Sequence, residues 1–412
     1  MNVNVTKTIP IEFKWVVEAY GKVRQGGKAT GIDNESWKEF ELNTEKNLYV
    51  IWNRLASGSY HPQAVREVEI PKKDGTMRKL GIPTLRDRIA QQVVKEYMEK
   101  RIDKDFHENS YGYRPLKSAL QAIEAVVSNC SQSDWVIDMD ITKFFDEIDH
   151  EIMLKAVAHV MPEKWVSLYV KRWLEMPVQG VDGTIIAKQG KGTPQGGVIS
   201  PLLANLYLHF TLDKWLEREF AHISFVRYAD DVVIHCKTKA EAELVLQAIR
   251  ERLGQVKLSI KESKTKIAYC KDYKRRLTHE HVNFEFLGFN FKPTKQPSKY
   301  RDRYYTSFSP DISSDNQKRI TEIIRTEHAF KNTTIEITEI ALRLNPKIRG
   351  WINYYGKRGK RGLYKVMSGL DQRLIKWLRK KYKLQKLKAW AKLIKIKQTN
   401  PRMFYHWQQG IC

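Results

Sequence analysis

Cysteine is scarce in this chain of 412 residues: Cys130, Cys236, Cys270 and Cys412 stand far apart, and none belongs to a C-x-x-C pair. That scatter argues against both a disulfide framework and a zinc knuckle, and it fits a reducing cytoplasm. No stretch reaches the roughly 18 uncharged apolar residues of a membrane span, and the start, MNVNVTKTIPIEF, has no basic segment followed by an apolar one. Neither a membrane anchor nor a secretory leader is therefore expected. Repeats and low-complexity linkers are missing too, so boundaries must come from changes of pattern. Acids run out toward the end. From Ala341 to Cys412 there are 20 Lys or Arg and one acid, Asp371, which puts +19 of the net +25 into that segment.

Such asymmetry is the electrostatic footprint of a phosphate-binding module beside a more balanced domain. Ten aromatics, among them Trp351, Tyr364, Trp377 and Tyr405, interleave with those charges, which argues for a folded nucleic-acid surface and against a disordered arm.

Residues 1–60 read as helical, broken by the basic glycine loop Gly21 to Gly31. VREVEIP and TMRKLGIP flank Lys72-Lys73-Asp74-Gly75, a hairpin signal. Leu85, Ile89, Val93, Tyr97 and Ile102 share one face of a following helix. DWVIDMD is a short apolar strand ending in acids. Ser200-Pro201 is expected to cap and start a helix with Leu203, Leu206, Tyr207 and Phe210 as its buried stripe. SFVRYADDVVIHC is a second hairpin, Lys239 to Leu253 a helix closed by Gly254, and TKIAYC and FEFLGFNF are further strands. After about residue 310 the pattern turns helical, with Leu363, Val366, Leu370, Leu374 and Trp377 on one stripe and Arg373, Lys376, Arg379 and Lys380 off it. The middle is thus an α+β domain with an antiparallel sheet covered on one face.

The chemistry sits in two acidic clusters. In Tyr228-Ala229-Asp230-Asp231 adjacent carboxylates are bordered by Val and Ile. On a straight strand they would point to opposite faces, but at a hairpin turn both reach one site, where a divalent cation offsets their repulsion. The second cluster is Asp138, Asp140 and Asp146 in VIDMDITKFFDEIDH, with Asp138 and Asp140 on one face of the strand. Carboxylates from neighbouring strand ends suit Mg²⁺, which keeps open positions for substrate phosphates. Two such ions roughly 3.5 to 4 Å apart meet the physical requirement of nucleotidyl transfer.

Three ordered motifs resemble reverse transcriptases: Asp140-Ile-Thr-Lys-Phe-Phe145-Asp146, Gly192-Thr-Pro-Gln-Gly-Gly197 with the following Val-Ile-Ser-Pro-Leu-Leu-Ala-Asn205, and Tyr228-Ala-Asp-Asp231. The resemblance implies a right-hand polymerase, with fingers and palm carrying an antiparallel sheet and an all-α thumb after them. It makes Asp140 and Asp230 ligands of two Mg²⁺ ions with Asp231 as third carboxylate, and leaves Asp138 and Asp146 outside the ligand positions. Phe145 stands where the family places an aromatic gate beneath the incoming sugar, which would reject a ribose 2′-hydroxyl. Gln195 falls beside the nascent base pair. PKKDGTMRKLGIP resembles the fingers hairpin, so Lys72 and Arg78 are expected to close over the dNTP triphosphate, with Lys73 and Lys79 toward solvent or template. Arg114 in Tyr-Gly-Tyr-Arg-Pro matches a fingers motif, and Lys264 matches a lysine near the active site that could protonate pyrophosphate.

Asn345-Pro-Lys-Ile-Arg349-Gly-Trp351-Ile-Asn-Tyr354-Tyr355 and Phe286-Leu-Gly-Phe289 narrow the resemblance to bacterial group II intron-encoded proteins, reverse transcriptases that are also maturases. This implies a template-contacting extension over 1–60, fingers and palm over 61–310, a thumb or maturase domain over 311–385, and a basic DNA-binding segment over 386–412. Arg349, Lys376, Arg379 and Lys380 are the expected nucleic-acid contacts. The implied partners are intron RNA, a DNA target with its primer, and dNTPs. Many relatives end in a Cys/His-rich endonuclease domain, and the close at Gln-Gln-Gly-Ile-Cys412 has no such cluster. Second-strand cleavage is therefore not expected, and priming by nascent strands at a replication fork is. The alternatives are an RNA-binding splicing factor without polymerase activity, or a domesticated, retron or CRISPR-linked reverse transcriptase.

Overall fold

A computed structural model of the chain describes residues 9–71, 75, 77–297 and 304–411. The chain forms two compact units and enters each more than once: Met1–Ala122, Met139–Ile234 and Glu243–Thr265 make the first, and Ile123–Asp138, His235–Ala242 and Lys266–Cys412 the second. The described strands are β1 (Val65–Pro71), β2 (Met77–Ile82), β3 (Trp135–Asp140), β4 (Val178–Gln179), β5 (Ile185–Ile186), β6 (Ser224–Tyr228), β7 (Asp231–Cys236), β8 (Lys266–Tyr269), β9 (Phe284–Phe286), β10 (Phe289–Pro297) and β11 (Tyr304–Ile312). They assemble as three sheets, β2–β1–β4–β5, β6–β7–β3–β8 and β11–β10–β9.

In the first unit the glycine loop starts later than expected. The helix Phe13–Arg24 runs through Gly21, since Val16 and Ala19 give it a buried face, and it ends at Gln25. Arg88, buried in the helix Leu85–Ile102, then gathers the loop by donating to the carbonyls of Gly27, Ala29 and Pro83. Gly31 closes it, because a Cβ there would lie 2.6 Å from the Thr84 Cα. The hairpin β1–β2 is antiparallel from Arg66–Ile82 to Pro71–Met77, and β4 adds to β1 in parallel. Lys72 and Lys73 lie outside the described residues.

The helix Ser200–Leu208 differs from its expected form. Its cap is Ile199, and the Ser200 hydroxyl instead shares a 2.9 Å hydrogen bond with Thr193. Leu202, Leu203, Leu206, Tyr207 and Leu208 are all buried while Phe210 is only half-buried, so the helix is covered around its circumference and not along one stripe. Such all-round burial marks a core helix.

In the second unit β3 pairs antiparallel with β8 from Trp135–Tyr269 to Asp138–Lys266. Trp135, Val136 and Ile137 are buried. β11, which the polar run before Phe308 hides from a hydrophobic pattern, pairs with β10 from Pro297–Tyr304 to Phe289–Ile312. Only its second half is buried, where Phe308 joins the stacked Phe284–Phe291 pair. Helices follow at Ser314–Thr326, Ile337–Tyr355, Lys360–Tyr382 and Lys386–Thr399. Leu363, Val366, Leu370, Leu374 and Trp377 are each at most 3% exposed, which makes the expected stripe the core of this helical region. Lys376, Arg379 and Lys380 are exposed on the same helix. Among the described residues no helix is long and apolar enough to cross a membrane.

Candidate active site

The hairpin β6–β7 turns at Ala229 and Asp230, and Ala229 takes a left-handed φ of +57°. This geometry lets two consecutive aspartates leave a strand on the same side. What holds the turn is a side chain the sequence reading passed over. Arg227 is fully buried, and its guanidinium meets the equally buried Asp213 through Nε–Oδ1 (2.7 Å) and Nη2–Oδ2. Its Nη1 donates to Asn205 Oδ1 (3.0 Å) and to the carbonyl of Ala229 (3.1 Å). Asn205 in turn donates to the Gly112 carbonyl at 2.6 Å. Gly112 must be glycine, because a Cβ would sit 2.5 Å from the Ala229 nitrogen. The segment Asn109–Tyr111 completes the brace through Arg227 N–H to Asn109 O (2.9 Å) and Tyr111 N–H to Arg227 O (2.8 Å). An arginine in the apolar run SFVRY was the available signal, since a buried charge requires a buried partner.

Asp140 ends β3 in the same unit, and its charge is felt by both aspartates of the turn. Burial among low-dielectric protein, then repulsion by Asp230 and Asp140, pushes the Asp231 carboxyl up to about 7. Asp231 nonetheless has solvent access, so it has the reach of a surface group and the surroundings of a recess. Asp230 is raised as well, by burial and then by Asp140, against the pull of its own backbone amide, Arg78 and Lys264. Lys264 Nζ lies 3.1 Å from Asp140 Oδ2 and offsets part of the negative charge. Asp230 and Asp231, both with raised proton affinity, together with Asp140 are a hard-oxygen donor set that a divalent cation would relieve. Among the described residues no group of three or more His, Cys, Asp or Glu side chains is set closely enough to hold a metal ion by itself.

The walls of the site separate the two adjacent phenylalanines. Phe144 is 2% exposed, while Phe145 is half-buried with its ring centroid 5.6 Å away. Lys143, at φ +42°, reverses the chain before them. The Phe145 carbonyl accepts from Thr193 N–H and the Ile148 carbonyl from Gly192 N–H, both at 2.8 Å, so the glycine-rich motif is laid against this turn. On its other side Gln195 O accepts from Gly81 N–H at 2.8 Å, and Gly196, at φ +122°, allows an approach where a Cβ would meet the Gly81 carbonyl at 2.6 Å. Gln195 is half-buried at that junction.

Of the other expected site residues, Arg78 is exposed on β2 and reaches Asp230 by its charge. Lys79 is paired with Glu67 at 2.9 Å. Asp138 lies 4.0 Å from Lys266, and Asp146 is exposed. Arg114 departs from expectation. Its side chain is only 6% exposed and donates to the Asp103 carboxylate and to the carbonyls of Asp103, His107 and Ser110. With its donors spent on stapling that loop, no fork is left for nucleic acid. Arg349 is exposed, its guanidinium 5.0 Å from the Tyr405 ring centroid. Tyr113, which sequence reasoning missed, also belongs here: at φ +56° and 53% exposed, its ring lies 6.4 Å from that of Tyr228 and it feels the charges of Asp230 and Arg78.

A carboxylate-bearing hairpin beside a glycine-rich loop and an aromatic wall defines a polymerase palm, and the chain belongs to the reverse transcriptase family: residues 70–291 match the model described as reverse transcriptase (RNA-dependent DNA polymerase). Residues 317–394 match the group II intron maturase-specific domain, which makes this a reverse transcriptase of the group II intron-encoded kind, with a right-hand fold and a helical C-terminal region. Protein YkfC of Escherichia coli K12 is 30% identical over 343 residues, covering 74% of this chain and 86% of that protein. Group II intron-encoded protein LtrA of Lactococcus lactis is 26% identical over 421 residues, covering 81% of this chain and 66% of LtrA. A putative COX1/OXI3 intron 1 protein of Saccharomyces cerevisiae is 26% identical over 294 residues, 59% of this chain and 34% of the yeast protein.

The raised Asp231 carboxyl has a pH consequence. Below about pH 7 a proton competes with a cation for it. Mg²⁺ binding is therefore expected to weaken as pH falls from about 8 to 6 and to release a proton, as titration calorimetry in buffers of different ionisation heat would show. An affinity and heat independent of pH and buffer would contradict the site described.

Proposed function

We propose that this protein copies a group II intron RNA into DNA from a primer at a DNA target, and that it also binds that RNA as a maturase to aid its splicing. The observation that carries the polymerase reading is the electrostatic coupling of Asp140, at the end of β3, to Asp230 and Asp231 at the braced turn. In the reaction the primer 3′-oxygen attacks the α-phosphorus of a dNTP. The new P–O bond forms as the bond to pyrophosphate breaks, and the hydroxyl proton leaves to solvent. Asp140 and Asp230, with Asp231, would hold two Mg²⁺ ions, whose chemistry is to favour the alkoxide and to stabilise charge on the leaving pyrophosphate.

The chain's own residues do the rest. Arg78 grips the triphosphate as a planar fork, and Lys72, outside the described residues, is assigned the same task. The Phe145 ring lies under the sugar and excludes a 2′-hydroxyl. Gln195, fixed by its backbone to Gly81, lines the nascent pair. Lys264, whose ion pair with Asp140 brings it beside the carboxylates, is assigned the return of a proton to pyrophosphate. The exposed Arg349, Lys376, Arg379 and Lys380 present charge to the intron RNA, and we assign to the protein retrohoming at a DNA target in the cytoplasm.

Sequencing the RNA that co-purifies from the native cell tests the partnership. Enrichment of one excised intron is expected, whereas a diverse pool or a small structured RNA would leave a reverse transcriptase of domesticated, retron or defence type. For the gate, Phe145→Ala is expected to relax rejection of ribonucleotides by roughly tenfold or more in competitive primer extension. Unchanged discrimination would remove Phe145 from that role.

A further inference from the structure

Within the second unit, the helices Ile337–Tyr355 and Lys360–Tyr382 and the C-terminal segment enclose a cavity of about 390 Å³. This falls among the volumes of small-molecule clefts, roughly 300 to 1,000 Å³. Buried Ile352 and Leu363 form its apolar side, exposed Lys360 and Gln409 its polar side, and Tyr364 and Tyr405 line it with two rings.

Both rings are held in place. The Tyr364 hydroxyl donates to the Gly410 carbonyl at 2.8 Å, although the residue is 43% exposed. The Tyr405 amide donates to Asn345 Oδ1 at 2.9 Å, and Asn345 Nδ2 donates to Met403 O at 2.9 Å. The segment carrying Tyr405 and Gln409 is pinned by Asp371, which accepts from Trp407 Nε1 (2.9 Å) and meets the buried His406 Nε2 (3.1 Å). Asp371 is the single acid between 341 and 412. Its engagement with these two residues leaves no other carboxylate of this segment to oppose an anion.

Aromatic faces on an apolar floor with a cation beside them are what a base and its phosphates require. Stacking serves any base, Lys360 on the lining supplies charge, and Arg349, whose guanidinium stands 5.0 Å from the Tyr405 ring centroid, adds to it from outside the cavity. We propose that this cavity receives one unstacked base of a single-stranded nucleic acid, with Lys360 and Arg349 on the flanking phosphates. The proposal rests on the RNA-binding reading of the helical region and adds to its phosphate contacts a contact to the base itself.

The test is fluorescence anisotropy of the full chain with a short labelled oligouridylate, whose bases are already unstacked, and with the oligodeoxythymidylate of equal length. Tyr405→Ala and Tyr364→Ala remove a ring. Gln409→Trp fills the cavity from an exposed position without removing buried groups, and Tyr364→Phe keeps the ring. The first three are expected to weaken oligouridylate binding by about fivefold or more, with an unchanged salt slope, while Tyr364→Phe, which keeps the ring and loses only its tie to Gly410, retains most of the affinity that Tyr364→Ala loses. Equal losses with the DNA probe identify the ligand as a base on either sugar; a loss confined to RNA adds the 2′-hydroxyl to what is read. If all three variants bind within twofold of wild type while neutralising Lys376, Arg379 and Lys380 together still weakens binding, the cavity proposal falls and the RNA-binding reading stands. If that triple neutralisation also changes nothing, both fall.

Discussion

Adjacent carboxylates on a tight turn repel each other, and the active site exists only because the turn is prevented from relaxing. Arg227 does this from beneath. It is wholly buried, satisfied by the wholly buried Asp213, and its remaining donor ties the Ala229 carbonyl. Removing one partner of a buried pair typically costs about 3–5 kcal/mol, because the survivor is left charged in a dry interior. The same guanidinium reaches through Asn205 to Gly112, so the loop that carries Tyr113 and the helix Ser200–Leu208 are keyed to the turn. The crowding of Asp230 and Asp231 is thereby set by neutral and oppositely charged neighbours, not by the carboxylates themselves. Their raised proton affinity is the residue of that constraint, and it is what a divalent cation would discharge.

The catalytic motifs were legible because their chemistry leaves a mark that packing alone would not. Acids in apolar strands are costly, so DWVIDMD and YADD stood out, and the alternation in β3 and the stripe through Leu363 to Trp377 followed from side-chain periodicity. The hidden features have physical reasons too. β11 begins with Tyr304-Tyr305-Thr306-Ser307, where the two tyrosines are exposed and the next two residues half-buried, so no alternation announces it. Helix Phe13–Arg24 continues past Gly21 because burial of Val16 and Ala19 outweighs the local preference of one glycine. Arg114 and Arg227 look alike in sequence as arginines near motifs. Only the fold shows that one staples a loop and the other braces the catalytic turn.

Charge is distributed by task. The tail from Ala341 holds most of the chain's net positive charge and almost no acid, and its apolar stripe makes it a folded surface. Such a surface attracts RNA or DNA through phosphates alone and cannot by itself choose a sequence. Among the described residues, the cations whose charge is set against the palm carboxylates are Arg78 and Lys264. Binding and chemistry therefore rest on different residues, which makes them separable by mutation.

That separation can be measured directly by extending a DNA primer on an RNA template with purified protein, dNTPs and Mg²⁺, with RNA affinity measured in parallel. The account predicts extension by the wild-type chain and its loss in Asp230→Ala at nearly unchanged RNA affinity. Extension that survives the substitution, or a wild-type chain that binds RNA and extends nothing, would contradict it.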